Sequence, residues 1–242
     1  MGKHQKRIAA PRSWRIERKT AYWTVKPRPG PHPGDRSMPL LLIVRDMLKL
    51  ADNSKEAKRI LHEGNILVDG KQRKDHKFPV GIFDILSIPA IGANYMVLLD
   101  KKGKLSLVAL GAEEASRKLC RVNNKTVIKG GVIQLNMYDG RNLLPSNGLG
   151  EEIKTHDSIM ISFESNEILQ RFAYKEGSKV MVIGGKHSAQ TGEIEEIRIV
   201  RSPGSNVVKI KPLDGGDSFE TIDDYVFVVG EDKIAIPGFE NS

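Results

Sequence analysis

Asp139 and Arg141 are placed so that an aspartate and an arginine could form a catalytic pair, but Asp139-Gly140-Arg141-Asn142 also has the composition of a tight turn, which produces the same spacing. Other candidates for chemistry thin out quickly. The six histidines (His4, His32, His62, His76, His156 and His187) are scattered, with none paired at i and i+4 and no cysteine partner for a metal. Cys120 is the single cysteine, so neither an intrachain disulfide nor a cysteine-based metal site can form; an inert, partly buried residue is expected there. No serine lies in a nucleophile-elbow context. Gly184-Gly185-Lys186-His187 lacks the upstream glycine spacing of a phosphate loop. No cofactor, metal or small-molecule substrate is expected.

What the residue types do support is ionic. Residues 1–36 hold ten basic side chains (Lys3, Lys6, Arg7, Arg12, Arg15, Arg18, Lys19, Lys26, Arg28 and Arg36) against Glu17 and Asp35. That excess of eight equals the formal net charge of +8 of all 242 residues, so the rest of the chain is electrically balanced. A concentrated positive field attracts a polyanion, either nucleic acid or an acidic membrane face. Trp14, Tyr22 and Trp23 are interleaved with these charges, and Pro27, Pro29, Pro31 and Pro33 fall at every second position. Prolines this dense favour extended, polyproline-like chain and break an amphipathic membrane helix. The segment is expected to be an arm that cannot fold alone and gains its shape between RNA helices, its cations meeting phosphates while Trp or Tyr stacks on a base. A disordered solubilising tail is the rival reading. The longest apolar block, Met38 to Val44, contains Pro39 and ends at Arg45-Asp46, too short for a membrane span; a cytoplasmic product is expected.

The elements that must position these groups follow from periodicity. Pro39 can open a helix to about Leu50, with Leu41, Val44 and Leu48 on one face. Asn53 is predicted to cap a second helix, with Glu56 completing a capping box, Ala57, Ile60 and Leu61 as its buried stripe and Gly64 as its stop. Asp69-Gly70 after Ile66-Leu67-Val68 predicts a tight hairpin with a basic tip of Lys71, Arg73 and Lys74. This pattern resembles the small RNA-binding fold shared by bacterial ribosomal protein four, pseudouridine synthases and tyrosyl-tRNA synthetases. The resemblance implies that Lys55, Lys58, Arg59, Lys71 and Arg73 meet structured RNA. Phe83-Asp84 stands where that family usually has Gly-Asp.

Residues 91–172 read as a mostly β middle: a hairpin of Met96–Leu99 and Leu105–Val108, a short helix from Glu113 to Leu119, and strands near 132–137 and 157–162. Residues 173–236 read as a compact SH3-like or OB-like barrel, with alternation on Val180 and Val182, Ile197 and Ile199, and Val208 and Ile210. This stretch resembles the KOW motif, with Gly192 present, Ala189 at a position where glycine is usual, and Lys186 and His187 on the exposed loop.

In order, the arm (1–37), the helix–hairpin module (38–90), the β middle (91–172), the barrel (173–236) and a short tail (237–242) resemble the fourth small-subunit ribosomal protein of the archaeal and eukaryotic type, closer to archaeal in length. The expected fold is mostly β with some α. The resemblance implies a non-enzymatic constituent of the small ribosomal subunit. Its expected partners are small-subunit ribosomal RNA and neighbouring ribosomal proteins, with no membrane. RNA contacts are expected from Lys3, Lys6, Arg7, Arg12, Trp14, Arg15, Arg18, Lys19, Trp23, Lys26 and Arg28 in the arm and from Lys186 and His187 in the barrel. The alternatives are an RNA-modifying enzyme of pseudouridine synthase type, with Asp139 as its reactive acid, and a KOW-containing transcription or translation accessory factor.

Overall fold

The computed structural model describes residues 4–145, 149–201, 204–231 and 234–236 as a mostly β chain in two compact units. The first comprises residues 1–100 and 104–118, the second 101–103 and 119–242.

The arm is not a free tail. Gln5–Lys6 and Trp23–Thr24 pair as a short antiparallel ribbon, and the Arg18 guanidinium gathers the carbonyls of Ala10 (2.6 Å), Pro11 (2.7 Å) and Ile8 (3.2 Å). Trp14 is 1% exposed, and its indole N–H donates to the Ser37 carbonyl at 2.6 Å. Ser13 and Arg28 tie the arm to the body through Leu105 N–H to Ser13 O (2.8 Å) and Arg28 N–H to Lys77 O (3.0 Å). The expectation of an arm shaped only by its partner is therefore corrected. A buried tryptophan and carbonyl-capping arginines give it packing energy of its own, while the prolines between 27 and 33 lie outside any strand or helix.

The first helix is shorter than predicted. Leu40–Leu42 is one α-turn, continued by a π-turn over Ile43–Met47 with Leu48 N–H reaching back to Ile43 O at 2.9 Å. The second helix, Ser54–Glu63, is capped as predicted: the Asn53 side chain accepts from Lys55 N–H (2.9 Å) and Glu56 N–H (3.0 Å). Glu56 in turn accepts from the Asp52 N–H and the Asn53 amide rather than from the Asn53 backbone. Ala57 and Leu61 are fully buried, Ile60 only partly, and Gly64 ends the helix at φ 83°. Leu67–Val68 and Lys71–Gln72 form the predicted hairpin about Asp69 (φ 52°) and Gly70 (φ 72°), the left-handed pair such a turn requires. The sheet does not stop near residue 90. Ile85–Ile88, Ala93–Leu99 and Leu105–Leu110 extend it to five strands, so the hairpin assigned by sequence to the middle belongs to this unit.

No helix runs from Glu113 to Leu119. A 3₁₀ turn over Glu114–Ser116 gives way to the eleven-residue strand Arg117–Val127, because Cys120 and Val122 bury in the core of the second sheet. That sheet runs Asn142–Leu143, Ile133–Met137, Arg117–Val127, Ser158–Ser162 and Ile168–Phe172, all antiparallel where paired as hairpins. The last sheet orders Phe219–Ile222, Val207–Pro212, Thr191–Arg198, Lys179–Val182 and Val226–Gly230: a four-strand meander whose fifth strand returns beside the first, after a 3₁₀ turn at Asp223–Tyr225. Ile199, read as continuing the alternation, lies past the strand end and is 76% exposed. Among the described residues no helix is long and apolar enough to cross a membrane.

Candidate nucleic-acid interface

The capped helix and the hairpin present the basic residues predicted for them. Lys55, Lys58 and Arg59 are exposed on the face opposite Ala57 and Leu61, as 3.6-residue periodicity dictates. Arg59 makes only a solvent-exposed pair with Glu63 at 3.0 Å, which is weak and easily exchanged for another anion. Lys71 and Lys74 are exposed at the hairpin, while Arg73 is half-buried, its guanidinium 4.5 Å from the centre of the Phe78 ring.

His76 marks where three separate segments meet. Burial lowers its pKa first, then the charge of Lys58 from the helix; Asp75 opposes this, and Lys77 and Arg28 lower it again. The arm reaches this point because Arg28 pairs with Asp75 at 3.1 Å while its backbone bonds to Lys77. A basic face thus joins arm, helix and the 75–77 loop. His76 and Lys77 were missed by sequence because no periodicity places a loop residue near Lys58 of a helix that ends well before it.

Beneath the hairpin lies a buried ionic cluster that sequence reasoning also missed. The Lys118 ammonium lies 2.7 Å from Asp69 Oδ2 and 2.6 Å from Asp84 Oδ1, and His32 Nε2 is 2.9 Å from the same Asp84 oxygen; all four residues are less than a tenth exposed. Asp69 Oδ1 accepts from Ile85 N–H and Asp84 Oδ2 from Gly81 N–H, each at 2.9 Å. Burial pushes the Asp84 carboxyl up, but the charges and hydrogen bonds of His32 and Lys118 outweigh it and hold the group well below the usual carboxylate range. The aspartate of the turn is therefore a tether, fixing the angle at which the basic hairpin leaves the body. Only the Asp-Gly pair signalled it; Lys118 lies 49 positions from Asp69 and 34 from Asp84.

The arm divides. Lys6, Arg12, Arg15, Lys19, Trp23 and Arg28 are exposed, Lys26 is half-buried, and Lys3 lies outside the described residues. Arg7 is buried with its guanidinium on the Glu17 carbonyl, and Arg18 is occupied by the three carbonyls above. Three expected RNA contacts are corrected: Trp14 is a core residue bonded to Ser37, not a stacking surface, and Arg7 and Arg18 are internal clamps on backbone carbonyls. In the second unit Lys186 is exposed and His187 half-buried on the loop between Lys179–Val182 and Thr191–Arg198. His187 stacks on Phe219 with ring centres 4.1 Å apart. Ala189 in that loop takes φ 74°, the conformation that the usual glycine adopts freely.

The catalytic alternative fails on geometry. Asp139 is 7% exposed, pairs with Arg141 Nε at 3.2 Å and accepts the Arg141 N–H at 3.2 Å, closing its own turn with Gly140 at φ 76°. Cys120 Sγ lies 3.6 Å from the same carboxylate, so the acid is satisfied within the fold. Among the described residues no group of His, Cys, Asp or Glu could hold a metal ion.

Residues 1–35 match the RS4NT domain and residues 91–168 match the ribosomal family S4e. The small ribosomal subunit protein eS4 of Methanocella arvoryzae is 50% identical over 98% of both chains, and that of Methanothermobacter thermautotrophicus is 46% identical over 98% of this chain and 96% of its own. The chain belongs to ribosomal protein family S4e. The crystal structure of the 30S ribosomal protein S4e from Thermoplasma acidophilum aligns at TM-score 0.68 and 37% identity, covering 83% of this chain and 98% of that one. S4e proteins are structural rather than enzymatic, and neither the modifying-enzyme nor the accessory-factor alternative finds support.

Proposed function

We propose that the protein is a structural constituent of the small ribosomal subunit, residing in cytoplasmic ribosomes, that holds small-subunit ribosomal RNA through one continuous basic face. The observation that carries this reading is that Arg28 of the arm is tied to the 75–77 loop through Asp75 and Lys77, where the charges of Lys58, Lys77 and Arg28 all act on His76. Three segments remote in sequence bring cations together at a cost in mutual repulsion, which phosphates would relieve. Lys6, Arg12, Arg15, Lys19, Lys26, Lys55, Arg59, Lys71 and Arg73 continue the phosphate contacts along arm, helix and hairpin, with Lys186 and His187 a separate contact on the barrel loop. Lys3 belongs to the same proposal by sequence alone. Structured RNA is read mostly by shape, so the role of the rigid helix and tethered hairpin is to match that shape.

The test is the salt dependence of full-length protein binding to small-subunit ribosomal RNA. Arg28→Ala and Lys58→Ala should each reduce the slope of log K against log salt by about 0.7–0.9, one phosphate contact apiece. Co-sedimentation should leave the wild type with small subunits through a moderate-salt wash at near-stoichiometric yield. Unaltered slopes in both variants would remove the His76 face from the interface, and loss of the protein in the wash would refute a structural role.

A further inference from the structure

The exposed ring pair of Tyr22 and Trp23 is absorbed by nothing in the fold. Tyr22 is 63% and Trp23 53% exposed, and their rings meet edge to face, 4.7 Å between centres and 84° between planes. The His4 ring, just before the paired strand, lies 5.5 Å from that of Trp23, and the Lys6 ammonium lies 5.4 Å from the Tyr22 ring centre. Large apolar surface left in water has a cost, and here it is held in a fixed geometry. Lys6 pairs across the ribbon with Trp23, Arg7 N–H bonds the Tyr22 carbonyl at 2.9 Å, and the buried Arg7 side chain clamps the Glu17 carbonyl. An aromatic pair fixed before it meets its ligand loses less entropy on binding than one in a loose tail.

We propose that Tyr22 and Trp23 form a stacking corner for one unpaired RNA nucleobase, the base lying on one ring with its edge toward the other and its phosphate near Lys6. This deepens the proposed function and rests on it. A base inside a duplex has both faces covered by its neighbours, whereas a splayed base offers its π-face to any aromatic of suitable exposure. The single corner with an ammonium beside it suits that ligand; the surrounding arm charge favours a polyanion over a protein partner.

Trp14 is buried and Trp23 exposed, so quenching of the full-length protein by a nucleic acid reports Trp23. Oligouridylate should quench the exposed emission, and an RNA duplex of equal phosphate number should leave it nearly unchanged. Trp23→Leu should abolish the quenching and weaken oligouridylate binding roughly 10-fold or more, with the salt slope unaltered. A Lys6→Gln variant should keep the quenching and lose part of the slope. Ribosomal RNA binding is measured in parallel by filter retention. If ribosomal RNA is retained normally but neither oligouridylate nor that RNA quenches Trp23, the corner is refuted and the structural role stands. Equal quenching by duplex refutes unpaired-base capture. If the RNA is not retained at all, the proposed function itself fails.

Discussion

Replacing Lys118 by Met keeps the length of the side chain and removes the one charge that lies within 2.7 Å of both Asp69 and Asp84. In the native protein the two buried carboxylates share that ammonium, and each has a further backbone donor. Breaking a buried ion pair by removing one partner costs about 3–5 kcal/mol, because the remaining charge cannot be solvated. For a chain of this size that corresponds to a fall in Tm of roughly 6–20 °C. Urea unfolding followed by the emission of Trp14, which lies in the same unit, measures it directly. The pH dependence supplies the discriminating sign. Asp84 in the native protein is held low, so its contribution is present above the ordinary carboxylate pKa and is lost as pH falls through the folded value. In Lys118→Met the two carboxylates lose the ammonium they share, with His32 still beside Asp84, and the pair favours uptake of a proton, so the variant gains stability as pH falls from neutral toward 4. The gap between the two proteins must therefore narrow on mild acidification. A deficit under about 1 kcal/mol at pH 7, or one that does not narrow toward pH 4, would refute the picture of a desolvated, charge-balanced tether.

Two further outcomes follow from the same physics. His76 should titrate below the ordinary imidazole value in the free protein, by NMR. Lys58→Gln should raise it, and binding of a polyanion should raise it further by answering Lys58, Lys77 and Arg28; no upward movement in either case would separate His76 from the basic face. Because the folded pKa is lowered, protonation favours the unfolded chain, so this group subtracts stability as pH falls below the unfolded value. Ala189 and Phe83 both hold positive φ, 74° and 67°, at positions where glycine is usual in the resembling motifs, yet glycine should act oppositely at the two. Ala189 is half-exposed, so Ala189→Gly relieves about 1–2 kcal/mol of left-handed strain for somewhat less in chain entropy, a net gain of about 0.5–1 kcal/mol. Phe83 is 2% exposed, and losing its buried ring should cost Phe83→Gly about 2 kcal/mol or more net. Urea midpoints moving in the same direction would overturn this.

The parts of the fold legible in sequence were those set by neighbours along the chain. Asn53 and Glu56 cap a helix, Asp69-Gly70 turn a hairpin and Gly64 stops a helix wherever they occur, because the groups they satisfy lie within four residues. The errors arose where partners are distant. A helix seemed natural for Glu113–Leu119 on local composition, but Cys120 gains more by joining Val122 in the core of a sheet whose other strands come later in the chain. The 38–90 boundary failed because pairing of Ile85–Ile88 with Ala93–Leu99 extends the sheet across it. Lys118, inside that same stretch, becomes a core element only through Asp69 and Asp84, 49 and 34 positions away.

The arm shows why charge composition overstates an electrostatic footprint. Its ten cations account for the whole net charge, but they do not all face outward. The planar, five-donor guanidinium suits clusters of backbone carbonyls, and Arg7 and Arg18 are used in that way, closing a segment whose prolines leave it short of its own donors. The other described cations point more outward: Arg12, Arg15 and Arg28 are exposed along with Lys6 and Lys19, and Lys26 and Arg36 are half-buried. An arginine turned inward still adds to the long-range potential that steers a polyanion, but it releases no counterion from a phosphate it does not touch. The arm's share of the salt slope must accordingly be smaller than its charge count, while its effect on association rate follows the full charge. The two quantities diverge because the same residues that attract the partner also hold the surface that receives it.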